Sequence, residues 1–430
     1  MKLSADQLRA RLERELGAES VESRPLFLEA YAVDGKPPGL VCLPATPEQV
    51  AAVLRLCAEN QASVIPWGGG TSMSFGNIPR GVDVVLGLEK LDRLIEHDDA
   101  NLTATAQAGM RVSAFRTMLA QRHQFFPVDP PHPAFATLGG IVAANINGPR
   151  RMQYGGVRDL VLGMKVTLAT GEQIKSGGKV VKNVAGYDLC KLFVGALGTL
   201  GIVTEVTLRM APLPESAASV VATGSLDRCA RFVEQLSDGP LLPAAVSLLS
   251  AGGNTGTPAV ATWVEGFEEA VARQLRDLAA LSELAGLVCE VRRDEAHRRL
   301  WEEVADFGAN GEGVLYRITA PLGAAAELLA TIDRWRHEAA TPARYVAHAG
   351  TGTVWLSAGN DPASLGWFPR LVALAESHKG HVVLAAAPPE LKAGIDVWGT
   401  PPAGLKLMRE IKGRFDPQGV LNPGRFVGGM

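Results

Sequence analysis

Three glycine-rich, almost uncharged stretches in the first half of the chain constrain its fold more than any other feature. They are Pro66-Trp67-Gly68-Gly69-Gly70-Thr71-Ser72, Thr137-Leu138-Gly139-Gly140-Ile141-Val142-Ala143-Ala144-Asn145-Ile146-Asn147-Gly148, and Gly195-Ala196-Leu197-Gly198-Thr199-Leu200-Gly201-Ile202-Val203. In the first, three glycines after a strand-like run let successive N–H groups turn into one concavity, a geometry that attracts phosphate or pyrophosphate. Thr71 and Ser72 add hydroxyl donors. No Gly-Lys-Ser/Thr follows, so this is not a Walker A loop, and the spacing is not G-x-G-x-x-G. In the second stretch, a helix start with paired glycines and small residues offers N–H groups and a face flat enough for a planar ligand; the alternative is a helix packed tightly on a sheet. In the third, glycines at every third residue lead into a strand whose backbone can meet an adenine edge; the alternative is a helix-to-strand turn. Each stretch alone is ambiguous. Together they imply an extended dinucleotide rather than a small ligand.

Composition narrows the classes. Of 430 residues 47 are glycine, above the usual share of about 7%, in a chain otherwise 47% hydrophobic and 20% charged. At roughly 150 residues per domain, two or three domains are expected. Lys plus Arg is 42 and Asp plus Glu 45, a net charge of −3, without the basic excess of a nucleic-acid binder. Cys42, Cys57, Cys190, Cys229 and Cys289 are scattered, with no C-x-x-C pair. They form neither a disulfide framework nor a zinc or iron–sulfur site, and they fit a reducing compartment. Residues 1–17 carry no secretory leader, and the longest uncharged stretch, residues 239–264, is broken by a Gly/Asn/Thr/Pro run. The expectation is a soluble, cytoplasmic protein without direct membrane insertion, reaching the inner membrane only through partners.

Along the chain, Ser4 with Gln7 forms a capping box before Leu8, Leu12 and Leu16. Thr46-Pro47-Glu48-Gln49 starts a second helix with Val50, Val53, Leu54 and Cys57 on its buried stripe. Strands at 40–43 and 63–67 flank it, which predicts a parallel βαβ unit. Short strands spaced by glycine turns follow to about residue 210, and Ala211-Pro212-Leu213-Pro214 reads as a linker. Beyond it the order strand, helix, strand, strand, helix, strand occurs twice, at 219–292 and 314–386, separated by a helix containing Trp301. Two tandem split βαβ units predict one antiparallel sheet with helices on one side. The boundaries expected are 1–212, 213–400 and a returning segment 401–430.

At this point the arrangement resembles a known family. Residues 37–214 are similar to the FAD-binding domain of the vanillyl-alcohol-oxidase, or PCMH, type, in its glycolate oxidase and D-lactate dehydrogenase branch. The carrying stretches are Pro66–Ser72, Val128-Asp129-Pro130, Thr137–Asn145, Tyr154-Gly155, Val181–Leu189 and Gly198–Val203, with Phe415-Asp416-Pro417 and Leu421-Asn422-Pro423-Gly424-Arg425-Phe426 at the end. The resemblance implies an α+β protein: a two-subdomain FAD-binding domain plus a ferredoxin-like antiparallel-sheet cap domain. It implies that Pro66, Trp67, Gly68, Gly69, Gly70, Thr71 and Ser72 hold the FAD pyrophosphate. Thr137, Leu138, Gly139, Gly140 and Ala143 would lie along pyrophosphate and isoalloxazine, and Gly201, Ile202 and Val203 would meet the adenine. Pro130, Gly148, Tyr154 and Gly155 are further expected contacts. Histidines often tether the flavin in this superfamily. Here His97, His123 and His132 are the only ones in the region, none near the Gly68 loop; His132, just after Pro130-Pro131, is the one candidate tether, and non-covalent FAD is expected.

The resemblance also shows where chemistry has changed. Catalytic members carry His-x-Gly-Asp-Gly-Asn-x-His and later Glu-His-Gly, whose imidazoles bind a divalent metal and take the hydroxyl proton. This chain has His348-Ala349-Gly350-Thr351-Gly352-Thr353-Val354-Trp355 and Asp396-Val397-Trp398-Gly399. Indole neither ligates a metal nor accepts that proton, so no metal site is expected. His348 remains as a candidate catalytic group and Arg317 as a candidate for a substrate carboxylate. These losses, with Gly148-Pro149-Arg150-Arg151 and Lys182–Leu189, match the FAD-binding subunits of bacterial glycolate oxidase complexes, which work beside a catalytic flavoprotein subunit and an iron–sulfur subunit. Two alternatives stand: a self-sufficient dehydrogenase using His348, Tyr187 or Tyr316, and a structural subunit that has lost its flavin.

Overall fold

The computed structural model describes residues 3–178, 187–250, 256–309, 311, 313–339 and 342–430. Its first elements form where local chemistry asks for them. The Ser4 side chain accepts from the Gln7 N–H and the Gln7 side chain reaches back, so the helix Ala5–Leu16 starts at a complete capping box and buries Leu8, Leu12 and Leu16. Thr46 caps Pro47–Asn60, which buries Val50, Val53, Leu54 and Cys57. Both helices pack on a four-stranded sheet in the order Val21–Glu22, Leu40–Cys42, Val84–Gly87, Val64–Trp67. Leu40–Cys42 and Val64–Trp67 are each parallel to Val84–Gly87, which lies between them. The expected βαβ strands are therefore not neighbours. Val84, Val85 and Leu86 are all fully buried, and an unbroken apolar run takes the central place in a parallel sheet.

A five-stranded antiparallel sheet follows, ordered Leu94–Asp98, Thr103–Gln107, Ile202–Arg209, Val161–Thr167, Gln173–Gly177. Its core is shared with the helices Val112–Ala120 and Leu138–Ala144. The stretch read as a linker is pinned to this half: Ala211–Pro212 pairs with Gln124–Phe125, and the Leu213 N–H donates to the His123 carbonyl at 2.8 Å.

The rest of the chain builds one eight-stranded antiparallel sheet. Its order is Val288–Arg293, Ser216–Thr223, Ala259–Gly266, Ala245–Leu249, Arg344–His348, Thr353–Ala358, Val314–Thr319, His381–Ala386. Each run of four is one βαββαβ unit with its fourth strand at an outer edge, as the tandem repeat predicts. The halves join where Ala245–Leu249 meets Arg344–His348, with Ser247 opposite His348. One face packs on the helices Leu226–Asp238, Glu268–Leu284, Ala325–Glu338 and Trp367–Ser377. The helix Asp294–Ala305 is an exception to the one-sided expectation. Its Leu300, Trp301 and Val304 pack on Val221, Ala261 and Trp263 of the opposite face.

The C-terminal segment returns to the first sheet: the Val64 N–H donates to the Val420 carbonyl and the Asn422 N–H to the Val64 carbonyl, both at 2.8 Å. Nearby, Lys392 donates to Asp34 at 2.7 Å and to the Ser74 carbonyl at 2.9 Å. The Lys392 side chain has no exposure and that of Asp34 only 3%. Removing one partner of a buried ion pair strands the other charge, at a cost of about 3–5 kcal/mol. Lys392→Met is expected to lower stability by about that amount, read from the urea midpoint, with an unchanged denaturant slope.

Candidate functional site

The glycine-rich stretches converge on one cleft of about 820 Å³. Pro66, Trp67, Gly68, Gly69, Gly70, Thr71 and Ser72 line it with Thr137, Gly139, Gly140, Ala143, Gly201, Ile202 and Val203. The glycines answer first to the protein's own backbone. A Cβ on Gly69 would lie 1.7 Å from the Phe135 carbonyl oxygen, one on Gly68 2.2 Å from Thr137 Oγ1, and one on Gly139 2.7 Å from Ala108 Cβ. Gly70 has φ +75°, a conformation that favours glycine. The first loop is thus pressed against the start of the helix Leu138–Ala144, whose Thr137 cap accepts from the Gly140 N–H at 3.2 Å.

The cleft holds buried polar atoms without protein partners. Asn422 donates to the Leu197 carbonyl at 2.6 Å, leaving its Oδ1 unpaired. Arg425 uses one nitrogen on the Met73 and Phe75 carbonyls, at 2.6 and 2.7 Å. Its Nε and Nη1 make no hydrogen bond, although Nη1 lies 3.6 Å from the Asp34 carboxylate. Burial lowers the Arg425 pKa while Asp34 opposes that. Buried polar groups are normally paired. Orphan donors and an orphan acceptor beside a backbone cradle fit a ligand carrying phosphates and hydrogen-bonding rings.

Thr71, Ser72 and Phe75 also line a second cavity, a chamber of about 800 Å³ beneath the eight-stranded sheet. Asp129, Gly148, Arg317, His348 and Trp355 line it as well. His348 and Arg317, distant in sequence, are thus brought together. His348 Nδ1 is 2.9 Å from Ser247 Oγ on the neighbouring strand. Burial pushes this histidine down to about 4, so it is neutral at physiological pH. Arg317 is lowered to about 10 by burial, with Arg151 adding to it. Its guanidinium stands 5.0 Å from the Phe75 ring, and no carboxylate pairs with it among the described residues. Burial resists charge on Asp129, but Arg150 and Arg116 prevail and hold it at about 2. Arg150 donates to both Asp129 oxygens, at 2.6 and 2.9 Å, between the rings of Phe125 and Trp263. Trp355 also lines the chamber.

Several expected contacts lie elsewhere. Leu138 is fully buried in the core of the five-stranded sheet, because the helical turn that aims Gly139 and Gly140 at the cleft turns it away. Pro130 is buried and lines neither cavity. Gly148 lines the chamber, not the cleft. Tyr154 donates to Glu265 at 2.5 Å in the seam between the halves of the molecule. Gly155 ends a short helix at φ +82°, against Asp159. Of the alternative proton acceptors, Tyr187 is 94% exposed. Tyr316 is buried on the helical face of the sheet, its hydroxyl donating to the Ser364 carbonyl at 2.7 Å. Against the expectation that no histidine lies near the Gly68 loop, His132 lines an outer groove together with Trp67, Gly69, Gly70 and Thr71, because the chain at 132–135 folds back onto that loop. Residues 182–186 of the Lys182–Leu189 run lie outside the described residues. The cleft also includes Phe75, Phe193, Leu197, Asn422 and Arg425. The Asn-Pro-Gly-Arg tail was legible as a returning segment, but nothing in its spacing says which atoms enter the cleft.

Comparison with known proteins agrees with this geometry. Residues 38–177 match a family described as FAD binding domain, and residues 399–426 one described as FAD linked oxidases, C-terminal domain. Glycolate oxidase subunit GlcE of Escherichia coli (strain K12) is 30% identical over 339 residues, 77% of this chain and 84% of that one. Glycolate oxidase subunit GlcD of Bacillus subtilis (strain 168) is 28% identical over 445 residues, 95% of this chain and 94% of that one. In fold the chain is similar to p-cresol methylhydroxylase with substrate bound, at TM-score 0.73 and 17% identity, covering 98% of this chain and 96% of that one. No helix among the described residues is long and apolar enough to cross a membrane.

Two outcomes follow from this geometry. Gly69→Ala must displace the Phe135 backbone, so the purified variant is expected to lack flavin absorbance while wild type retains it. For His348, the folded chain resists protonation until about pH 4, whereas the unfolded chain takes up the proton near 6.5. Its contribution is complete above pH 6.5 and is lost as pH falls toward 4. The stability difference between wild type and His348→Asn, from urea titrations at stepped pH, is expected to shrink by up to about 3 kcal/mol across that window.

Proposed function

Because this chain belongs to the FAD-linked oxidase family that includes the glycolate oxidase subunits, we propose that it is the FAD-carrying subunit of a complex that oxidises a 2-hydroxy acid, glycolate first among them. The observation that carries the reading is the chamber that shares Thr71, Ser72 and Phe75 with the cofactor cleft, lined by the single imidazole of His348 and by Trp355, which by the resemblance stands where catalytic members carry a second histidine. Division of labour follows: Gly68–Ser72 would hold the pyrophosphate, Thr137–Ala143 the flavin side, Gly201–Val203 the adenine, and Asn422 and Arg425 would complete the cleft. Among the described residues no histidine lines the cleft, His132 facing the neighbouring outer groove instead, which supports non-covalent binding. When bound, FAD supplies acceptance of two electrons and their release one at a time.

The chain's own groups act around that cofactor. Arg317 is placed to orient a carboxylate. Neutral His348, fixed through Nδ1 by Ser247, presents its other nitrogen to take or give a proton. Its five cysteines are unclustered, so onward one-electron transfer would use the iron–sulfur centres of a partner, and metal-assisted oxidation would fall to a catalytic flavoprotein subunit. The proposed domain division is 1–212 for the FAD-binding domain, 213–400 for the cap and 401–430 for the returning segment, in a cytoplasmic complex.

A second reading, a self-sufficient 2-hydroxy-acid dehydrogenase, is favoured by one observation: Arg317 and His348 line the same chamber. The holo-protein mixed anaerobically with glycolate or D-lactate separates the two. The proposal expects flavin absorbance to persist with the isolated chain and to bleach in the assembled complex. Rapid bleaching by the chain alone, slowed in His348→Asn and requiring more substrate in Arg317→Met, establishes the second reading instead.

A further inference from the structure

The eight-stranded sheet ends differently at its two edges. His381–Ala386 is covered by the chain itself, the Leu384 N–H donating to the Val397 carbonyl at 2.8 Å. At the other edge, Val288–Arg293 pairs in unbroken register with Ser216–Thr223. No strand among the described residues lies on its outer side. Each of these strands is the fourth of its half-sheet, so the fold itself does not demand the difference. Val288 is 78% and Val291 44% exposed, and Leu284, ending the adjoining helix, is 79% exposed. A row of unpaired N–H and C=O groups with apolar side chains is a template for another strand. No proline, lysine or bulge interrupts these six residues, and the charges they carry, Glu290, Arg292 and Arg293, are of both signs.

The order of side chains indicates which strand fits. Glu290-Val291-Arg292 is its own complement when run antiparallel. With Val291 facing Val291 of a second copy, each Glu290 faces the other copy's Arg292. A slip of one residue either way sets a charge opposite Val291 instead. Arg292 and Glu290 lie on one face of the strand, 3.2 Å apart, so each is already held where a cross-strand partner would meet it. Opposite charges directly across a strand pair stabilise it, and like charges oppose it.

We propose that Val288–Arg293 pairs antiparallel with the same strand of a second copy, about a two-fold axis at Val291, joining two eight-stranded sheets edge to edge. This is an isologous contact, closed by its own symmetry. It lies in the half-sheet away from the strands that bear Arg317, His348 and Trp355, and does not depend on the proposed function.

The test is sedimentation equilibrium of the FAD-loaded protein as wild type, Glu290→Arg, Arg292→Glu and the double variant, with flavin content as the check on folding. The expectation is a wild-type dimer, a dimer dissociation constant raised about tenfold or more by either single change, and recovery in the double variant, whose charges are exchanged but again complementary. A monomeric wild type, a dimer indifferent to both single changes, or one the double variant fails to restore overturns the proposal. Flavin content stays at the wild-type level in all four proteins.

Discussion

The contact between two backbone segments, the loop Gly68–Gly69 and the chain at Phe135–Thr137, is what the cofactor cleft depends on. At 1.7 Å from a carbonyl oxygen there is no room for any side chain at Gly69. Backbone brought this close turns two loops from different sheets into one surface, and N–H groups that would otherwise face water line a cavity. The segment after the loop is fixed from far along the chain: Arg425 holds the Met73 and Phe75 carbonyls and Lys392 holds that of Ser74. The first half of the molecule supplies the cleft, and the last forty residues keep it in shape.

The eight-stranded sheet works by its two faces. Successive residues of a strand point to opposite sides, so Tyr345 and Ala347 enter the helical core while Val346 and His348 face the other way. That second face carries Ser219, bonded to His297 and Trp301, and Ser247, bonded to His348. A sheet face this polar is stable only when each group is satisfied. The seam with the first half meets that condition only in part, since Trp263 Nε1 and Arg116 Nε are buried there without a hydrogen-bond partner. Glu265 lies against Arg150 and Tyr154, and Arg150 in turn neutralises Asp129. Burial raises the Glu265 pKa against the pull of Arg150.

How much of this could be read from the sequence depends on the range of the interaction. The capping box at Ser4 and the cap at Thr46 are settled within four residues, and the structure has both. The alternation of strands and helices after residue 214 is local too, and it led to a tandem antiparallel sheet. The insertion of Val84–Gly87 between the two strands of the apparent βαβ unit is not local, because sheet order follows from which strand is most completely buried. The placement of Asp294–Ala305 on the far face has the same origin: its apolar stripe is visible, but the surface that receives it is assembled from Val221, Ala261 and Trp263 on two other strands. Among site residues, the glycines were legible because their conformation restricts them. Asn422 and Arg425 were not, since unpaired atoms exist only once the surrounding backbone is in place.

The charges around the chamber bear on what can enter it under the proposed reading. Of the charged side chains that line the chamber, Asp129 is held by Arg116 and Arg150, while Arg317 has no carboxylate partner among the described residues and feels a second cation, Arg151. A guanidinium held by little more than an aromatic ring away from bulk water is costly, and burial accordingly lowers its pKa. An entering monocarboxylate relieves it, because the desolvation of Arg317 has already been met in the folded protein and a bidentate pair regains it. A neutral alcohol would leave Arg317 as it was. Trp355, an uncharged ring on the wall of the chamber, leaves that electrostatic preference as Arg317 sets it. Binding of an acid and oxidation of that acid are therefore separable properties of this chamber, the first resting on Arg317 and the second on whatever proton acceptor His348 can provide.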